Sequence, residues 1–338
     1  MIKNTFLGLG PMSLEVINSL NYFSKKYKKK IMLICSRNQI ESEKLGGGYV
    51  NNFSTQNFAR FVKKKKNNLL IMSRDHCGPF KRDSKYKTNL KKEVENCKIS
   101  LLDDILNDFK FLHIDTSECG NSKYEIANEL INFCNETAKK HNKKIFFEFG
   151  AEDHGVLTNF NKFTKDAKFF SNFSNKQYIV CQTGSLVKSV FQVGQFDIES
   201  VKIMKKITKE YGLLLKEHNC DYLSLEQIEL RKQYGINAVN IAPELGVIQS
   251  NLTYNMSKKF GLDKEIDEFR KFVLKKGKWK KWNYNNENNL IKFFSAGHYH
   301  FSSQIYKHLI QKLNEKVSFQ RKLDKSIENN LLRYFNSN

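Results

Sequence analysis

At positions 75 and 76 an aspartate stands directly before a histidine, and Cys77-Gly78-Pro79 follows as a turn. An Asp and a His side by side at the end of a strand can serve as a general acid/base and a metal ligand. Similar groups recur along the chain. Asn38 and Gln39 follow one apolar run, Arg74 precedes the Asp-His pair, and His113, Asp115 and Ser117 close another run. Glu148, Glu152, Asp153 and His154 surround a fifth run, Gln182 closes a sixth, and His218, His298 and His300 come later. Taken singly, each has an ordinary reading: a turn aspartate with a hydrogen-bonded histidine, a helix-end acid paired with lysine, or a packing histidine. Taken together, polar titratable residues recur at one end of successive apolar runs, which a purely structural chain does not need. No G-x-S-x-G elbow, P-loop or H-E-x-x-H stretch occurs, so those mechanisms have no support here.

The elements that must hold these groups can be read from the pattern. Eight short apolar runs occur at 5–10, 30–36, 68–73, 109–115, 143–150, 176–184, 236–242 and 290–297. Each reads as a strand buried on both faces. Helical patterns lie between them, at 12–30, 54–66, 125–144, 198–218 and 224–235. The three prolines, Pro11, Pro79 and Pro243, fall just after expected strands. Eight strand–helix repeats predict an α/β fold, a TIM (β/α)8 barrel, with function gathered at the C-terminal ends of the strands. The expected division is one barrel domain over 1–310 and a C-terminal helical tail over 311–338 packing on it. Gly8-Leu9-Gly10-Pro11 lacks the third glycine of a dinucleotide fingerprint.

The 338 residues carry 57 Lys and Arg against 35 Asp and Glu, a formal charge of +22. Lysine and asparagine are spread throughout, which predicts a diffuse basic background and argues against a nucleic-acid partner. Lys28-Lys29-Lys30 and Lys63–Lys66 follow helices, so in a barrel they fall at the face away from the site, while Arg37 and Arg74 leave a mildly positive mouth suited to a sugar phosphate. Both tryptophans lie among five lysines at 275–282, a pattern able to bind single-stranded nucleic acid but read here as a helix end with its rings packed inward. No apolar run is long enough to span a bilayer, so no membrane partner is expected. The N-terminus has no secretory pattern, and the seven cysteines show no C-x-x-C spacing, which predicts buried thiols in a cytoplasmic protein.

The stretches SRNQIESEKLGGGYVNNFSTQNFARFV (36–62), IMSRDHCGPF (71–80), FLHIDTSEC (111–119), FEFGAEDHG (147–155), QTGSLVKSVFQVGQFD (182–197), EHNCDYLS (217–224) and YGINAVNIAPELG (234–246) resemble the non-catalytic subunit family of class II D-tagatose-1,6-bisphosphate aldolases. A looser match covers 279–301. The resemblance implies a class II aldolase barrel. Catalytic members hold a zinc ion with three histidines, polarise the carbonyl of dihydroxyacetone phosphate, and use an aspartate for proton transfer. By position, Asp75 is that acid/base and His76 one ligand of a divalent metal, Zn2+ in the catalytic relatives. The ends expected for the sixth and seventh strands, Gln182-Thr183-Gly184 and Ala242-Pro243-Glu244, offer no histidine, which fits a subunit that has lost the three-histidine site.

Two readings follow. In one, the chain is an accessory subunit of a separate catalytic class II aldolase in carbohydrate metabolism. In the other, it is a stand-alone lyase with metal ligands drawn from His76, Glu148, Glu152 and His218. In both, the small-molecule partner expected is a sugar phosphate, a ketose bisphosphate or its triose phosphate fragments, bound by Asn38, Gln39, Arg74, Asp115, Ser117 and Gln182.

Overall fold

The computed structural model describes residues 6–150, 158–283 and 286–335. In chain order its strands are β1 (Leu7–Leu9), β2 (Ile31–Ser36), β3 (Leu70–Cys77), β4 (Phe111–Ile114), β5 (Phe146–Phe149), β6 (Lys176–Cys181), β7 (Val187–Lys188), β8 (Phe191–Gln192), β9 (Leu214–Glu217) and β10 (Ala238–Ile241). All but β7 and β8 pair in parallel and close into a barrel in the order β1-β10-β9-β6-β5-β4-β3-β2. This is the TIM barrel. The remaining two form an antiparallel hairpin after β6.

The helices are α1 (Leu14–Tyr27), α2 (Thr55–Lys63), α3 (Leu90–Leu106), α4 (Lys123–Lys140), α5 (Phe160–Ser171), α6 (Ile198–Glu210), α7 (Leu225–Gln233) and α8 (Pro243–Lys259), followed by α9 (Asp263–Lys276), α10 (Asn289–Ala296), α11 (Gln304–Lys316) and α12 (Phe319–Phe335). Local chemistry starts several of them. Ser13, Ser54, Asn89 and Ser224 each accept a hydrogen bond from a first-turn backbone N–H, satisfying one donor that the helix itself cannot pair.

Inward-facing residues plug the barrel: Met32, Ile34, Ile71, Phe111, Phe146, Tyr178 and Ala238 form one apolar cluster. Phe111 packs its ring 5.7 Å from those of both Phe146 and Tyr178. Burying each such side chain contributes about 1.5–3 kcal/mol. A larger apolar shell fills the space between the strands and the helices.

Two expected elements change. The apolar run 290–297 is helix α10, not a strand. Asn288 caps it by accepting from Leu290 N, and Phe293 and Ala296, three apart, face the core. The missing barrel strand is β9, inside the stretch that reads as the end of one long helix. Tyr211 closes α6, and Gly212 with φ 66° turns the chain into Leu214–Glu217. A glycine in left-handed geometry after a helix is a stop signal.

α12 packs along α1. The Phe23 and Phe335 rings lie 5.5 Å apart, and Ser19 donates to Asp324 at 2.7 Å. Its Arg333 and Asn330 both reach Glu244 at the start of α8. Lys28 follows α1 and Lys64 follows α2, so the lysine tails lie where the next strands begin, at the end of the barrel opposite Asp75 and His76. All seven cysteines are buried free thiols. No helix among the described residues is long and apolar enough to cross a membrane.

Candidate active site

Side chains alternate across a strand, so neighbours in β3 face opposite ways. Arg74 points out of the barrel. Its guanidinium makes two bonds to Asp104 of α3, at 2.7 and 2.6 Å, and donates to Ile40 O at 2.6 Å. Asp75 therefore points in. Simple alternation would send His76 out again. Instead His76 has φ 45°, and the pairing of β3 with β4 shifts register between Arg74 and Cys77. This is a bulge, which re-aims a side chain, and it sets Asp75 and His76 together at the mouth. Gly78 lets the chain pass on, since a Cβ there would lie 1.6 Å from Asp115 O.

Asp75, His76, His113 and His218 bring one potential ligand atom each to within 4.8 Å of one another. Their hydrogen bonds separate their roles. His76 Nδ1 bonds Asp115 Oδ2 at 2.7 Å. His218 Nε2 bonds Glu148 Oε1 at 2.7 Å. The two remaining nitrogens, His76 Nε2 and His218 Nδ1, face each other at 3.2 Å. A carboxylate behind each ring sets its tautomer and aims the opposite nitrogen, the usual arrangement behind a metal-ligating histidine. Two nitrogens on one tetrahedral zinc, with bonds of about 2.0–2.1 Å, lie roughly 3.3 Å apart. The donor set thus fits a divalent cation shared by His76 and His218. His113 has no nitrogen to spare. It donates from Nε2 to Gly150 O at 2.9 Å and accepts at Nδ1 from His76 N at 3.1 Å, so it holds the bulge.

The electrostatics follow from burial and neighbouring charge. Burial opposes ionisation of Asp75, but the neighbouring charge of His76 outweighs it and holds its carboxyl well below the ordinary range. Asp115 is held low in the same way, chiefly by His76. Burial lowers His218 to about 4, with Glu148 opposing only in part. His76 moves up, because Asp75 and Asp115 outweigh its burial. Beneath the histidines Glu148 is lowered to about 2: burial opposes this, and Lys216 prevails with its ammonium 2.5 Å away. Asn240 donates to Asp75 Oδ1 at 3.3 Å, and Asp75 Oδ2 lies 4.0 Å from His76 Nε2.

The structure sorts the residues expected from the sequence. Asp75, His76, His218, Asn38 and Gln39 line one cavity of about 500 Å3 at the barrel mouth. Asp115 and Ser117 lie behind it, bonded to each other at 2.7 Å and to Lys81. Glu148 is fully buried, with one oxygen on Lys216 and the other on His218, so it positions a ligand and is not placed as one. Arg74 stands outside the barrel wall, and Arg37 is likewise buried in an ion pair with Glu41 at 2.7 Å, so neither reaches the mouth. Gln182, at the end of β6, is not among the residues lining the cavity. Glu152 lies outside the described residues, as do Asp153 and His154.

Lys81, Lys216 and Asn240 join the site without being expected from the sequence. Lys216 belongs to β9 and His218 follows its last residue, Glu217; the strand's alternation becomes visible once Gly212 is read as a helix stop.

No protein-family model matches the chain, and no curated protein sequence does. Solved structures do. A probable tagatose 6 phosphate kinase from Sinorhizobium meliloti 1021 superposes with a TM-score of 0.80 at 13% identity, over 99% of this chain and 100% of that one. Fructuronate-tagaturonate epimerase UxaE from Cohnella laeviribosi gives 0.63 at 12% identity, over 98% and 81%. Fructose-bisphosphate aldolase from Campylobacter jejuni gives 0.57 at 13% identity, over 99% and 90%. At these identities the likeness establishes a common barrel fold along the whole chain.

Proposed function

We propose that this chain is a metal-dependent sugar-phosphate enzyme of the class II aldolase type, acting in carbohydrate metabolism. One observation carries the reading. His76 Nε2 and His218 Nδ1 converge at 3.2 Å, each backed by a carboxylate, beside the ionised Asp75 in a cavity sized for a small ligand. The neighbours named for tagatose 6-phosphate, fructose bisphosphate, fructuronate and tagaturonate support a sugar or sugar-phosphate substrate.

A divalent ion on His76 and His218, Zn2+ by resemblance, would supply Lewis-acid polarisation of a ketose carbonyl. Asp75 acts as the base. With Oδ1 held by Asn240, it accepts the proton of the hydroxyl beyond the scissile C–C bond, whose electrons pass to the carbonyl-bearing fragment. In the reverse direction it returns that proton. Asp115 and Glu148 keep both imidazoles oriented, and Lys216 keeps Glu148 ionised.

Elemental analysis and an aldol-cleavage assay on ketose bisphosphates test this. Asp75→Asn is expected to retain metal and lose about 10²–10⁴-fold in rate, the scale of general acid–base catalysis. His76→Ala and His218→Ala are expected to lose the metal. A chain that takes up no divalent ion and cleaves no sugar phosphate sinks the proposal.

Gln182, standing where the resemblance puts a third histidine, favours a second reading, an accessory subunit. It predicts a silent chain that raises the activity of a separate class II aldolase.

A further inference from the structure

The lysine- and tryptophan-rich stretch at 275–282 does not act as one surface. Trp279 is packed, its indole donating to Leu274 O at 3.1 Å with Lys292 4.4 Å over its ring. Trp282 and Lys281 instead line the same cavity as Asp75, His76 and His218. Their segment is pinned at three points. Lys278 pairs with Asp83 at 2.5 Å, Ser189 N donates to Trp282 O at 2.9 Å, and Trp282 Nε1 donates to Tyr299 OH at 3.0 Å. The Tyr299 ring lies 5.0 Å from that of Tyr49, which extends the aromatic wall.

The cations around this mouth differ in one respect. Lys81 is bound to Asp115, Ser117 and Glu118, and Lys278 to Asp83. Lys281 meets no carboxylate at ion-pair distance among the described residues and lies 5.1 Å from the Trp282 ring. Arg37 and Arg74, the cations that sequence position offers for a phosphate, are consumed behind the barrel wall.

We propose that Lys281 is the phosphate anchor of this cavity and that Trp282 packs against the carbon chain of the same ligand. The ligand is thereby a phosphorylated polyol or sugar whose oxygen-rich end faces His76 and His218. The assignment rests on the function proposed above and names how that site holds its substrate. An ammonium on a phosphate forms charge-assisted hydrogen bonds, and an aromatic face suits the C–H surface of a sugar chain.

Calorimetric titration of the full chain with dihydroxyacetone phosphate and with dihydroxyacetone tests it. In Lys281→Gln, affinity for the phosphorylated ligand is expected to fall roughly 10- to 100-fold, the scale of losing one charged hydrogen-bond partner. Affinity for dihydroxyacetone should be unchanged, and Lys281→Arg should restore most of the loss. In a Trp279→Phe background Trp282 is the remaining indole, and its fluorescence should respond to dihydroxyacetone phosphate. Should that background fold poorly, the calorimetry on the parent chain decides alone. Equal affinity of Lys281→Gln and the parent chain for the phosphate overturns the assignment, even where both cleave a ketose bisphosphate. Lysine-dependent phosphate binding in a chain that takes up no metal and cleaves nothing leaves the anchor standing and sinks the aldolase reading.

Discussion

Two buried ion pairs sit one layer apart in this barrel. Arg74–Asp104 lies between strand and helix, and Lys216–Glu148 lies inside the barrel under the histidines. Both are fully desolvated and closely bonded. The first serves the wall alone, because Arg74 spends its remaining donors on Ile40 O and Cys35 O. The second serves the site, because the other oxygen of Glu148 orients His218. Strand parity makes the difference. Residues with the same chemistry become scaffold or site machinery according to which face of the pleat they occupy.

Breaking either pair should give the largest stability effect. Arg74→Ala and Lys216→Ala are each expected to cost about 3–5 kcal/mol in denaturant unfolding, since each leaves a carboxylate buried without its partner. The comparison sharpens when metal is measured on the folded protein. Arg74→Ala should keep its metal affinity, whereas Glu148→Gln should lose about 10–100-fold, as should Asp115→Asn, because each removes the group that aims a ligand. Equal metal binding in Arg74→Ala and Glu148→Gln would erase the distinction drawn between the two layers.

The smallest effect belongs to the half-exposed pairs. Asp108 bonds Lys63 and Lys143 at 2.6 and 2.7 Å, and these lysines hold its pKa low against some burial. A carboxylate depressed on folding contributes stability above its unfolded pKa, about 3.9, and loses it as pH falls through the folded value. Asp108→Asn should therefore cost at most about 1 kcal/mol near neutral pH. The gap to the parent chain should close on acidification and shrink in high salt. A larger cost at neutral pH would place this pair with the buried ones.

Much of the site was legible in the chain. Asp75 and His76 are adjacent candidates in the sequence, and both line the cavity at the barrel mouth. Three things misled. Arg74 reads as a companion of Asp75 from its position, although neighbours in a regular strand cannot share a face. The apolar run 290–297 mimicked a strand because a short buried helix and a buried strand have the same composition. That displaces the true seventh barrel strand, so His218 does not read as a residue at a strand end, and the ends expected for the sixth and seventh strands offer no histidine.

By itself the sequence determined the alternation of strand and helix, hence a barrel, because apolar period and turn residues are local properties. It also determined which titratable residues were available at strand ends. Only the tertiary structure decided which of them meet. The bulge at His76 depends on contacts from His113 and on the passage of Gly78 over Asp115, residues some 35–40 positions apart. The pairing of His76 with His218 spans 142 positions and exists only because the barrel closes. Lys281 reaches the same cavity from outside the ring of strands. Distances of that kind are set by closure and packing, which no local pattern encodes.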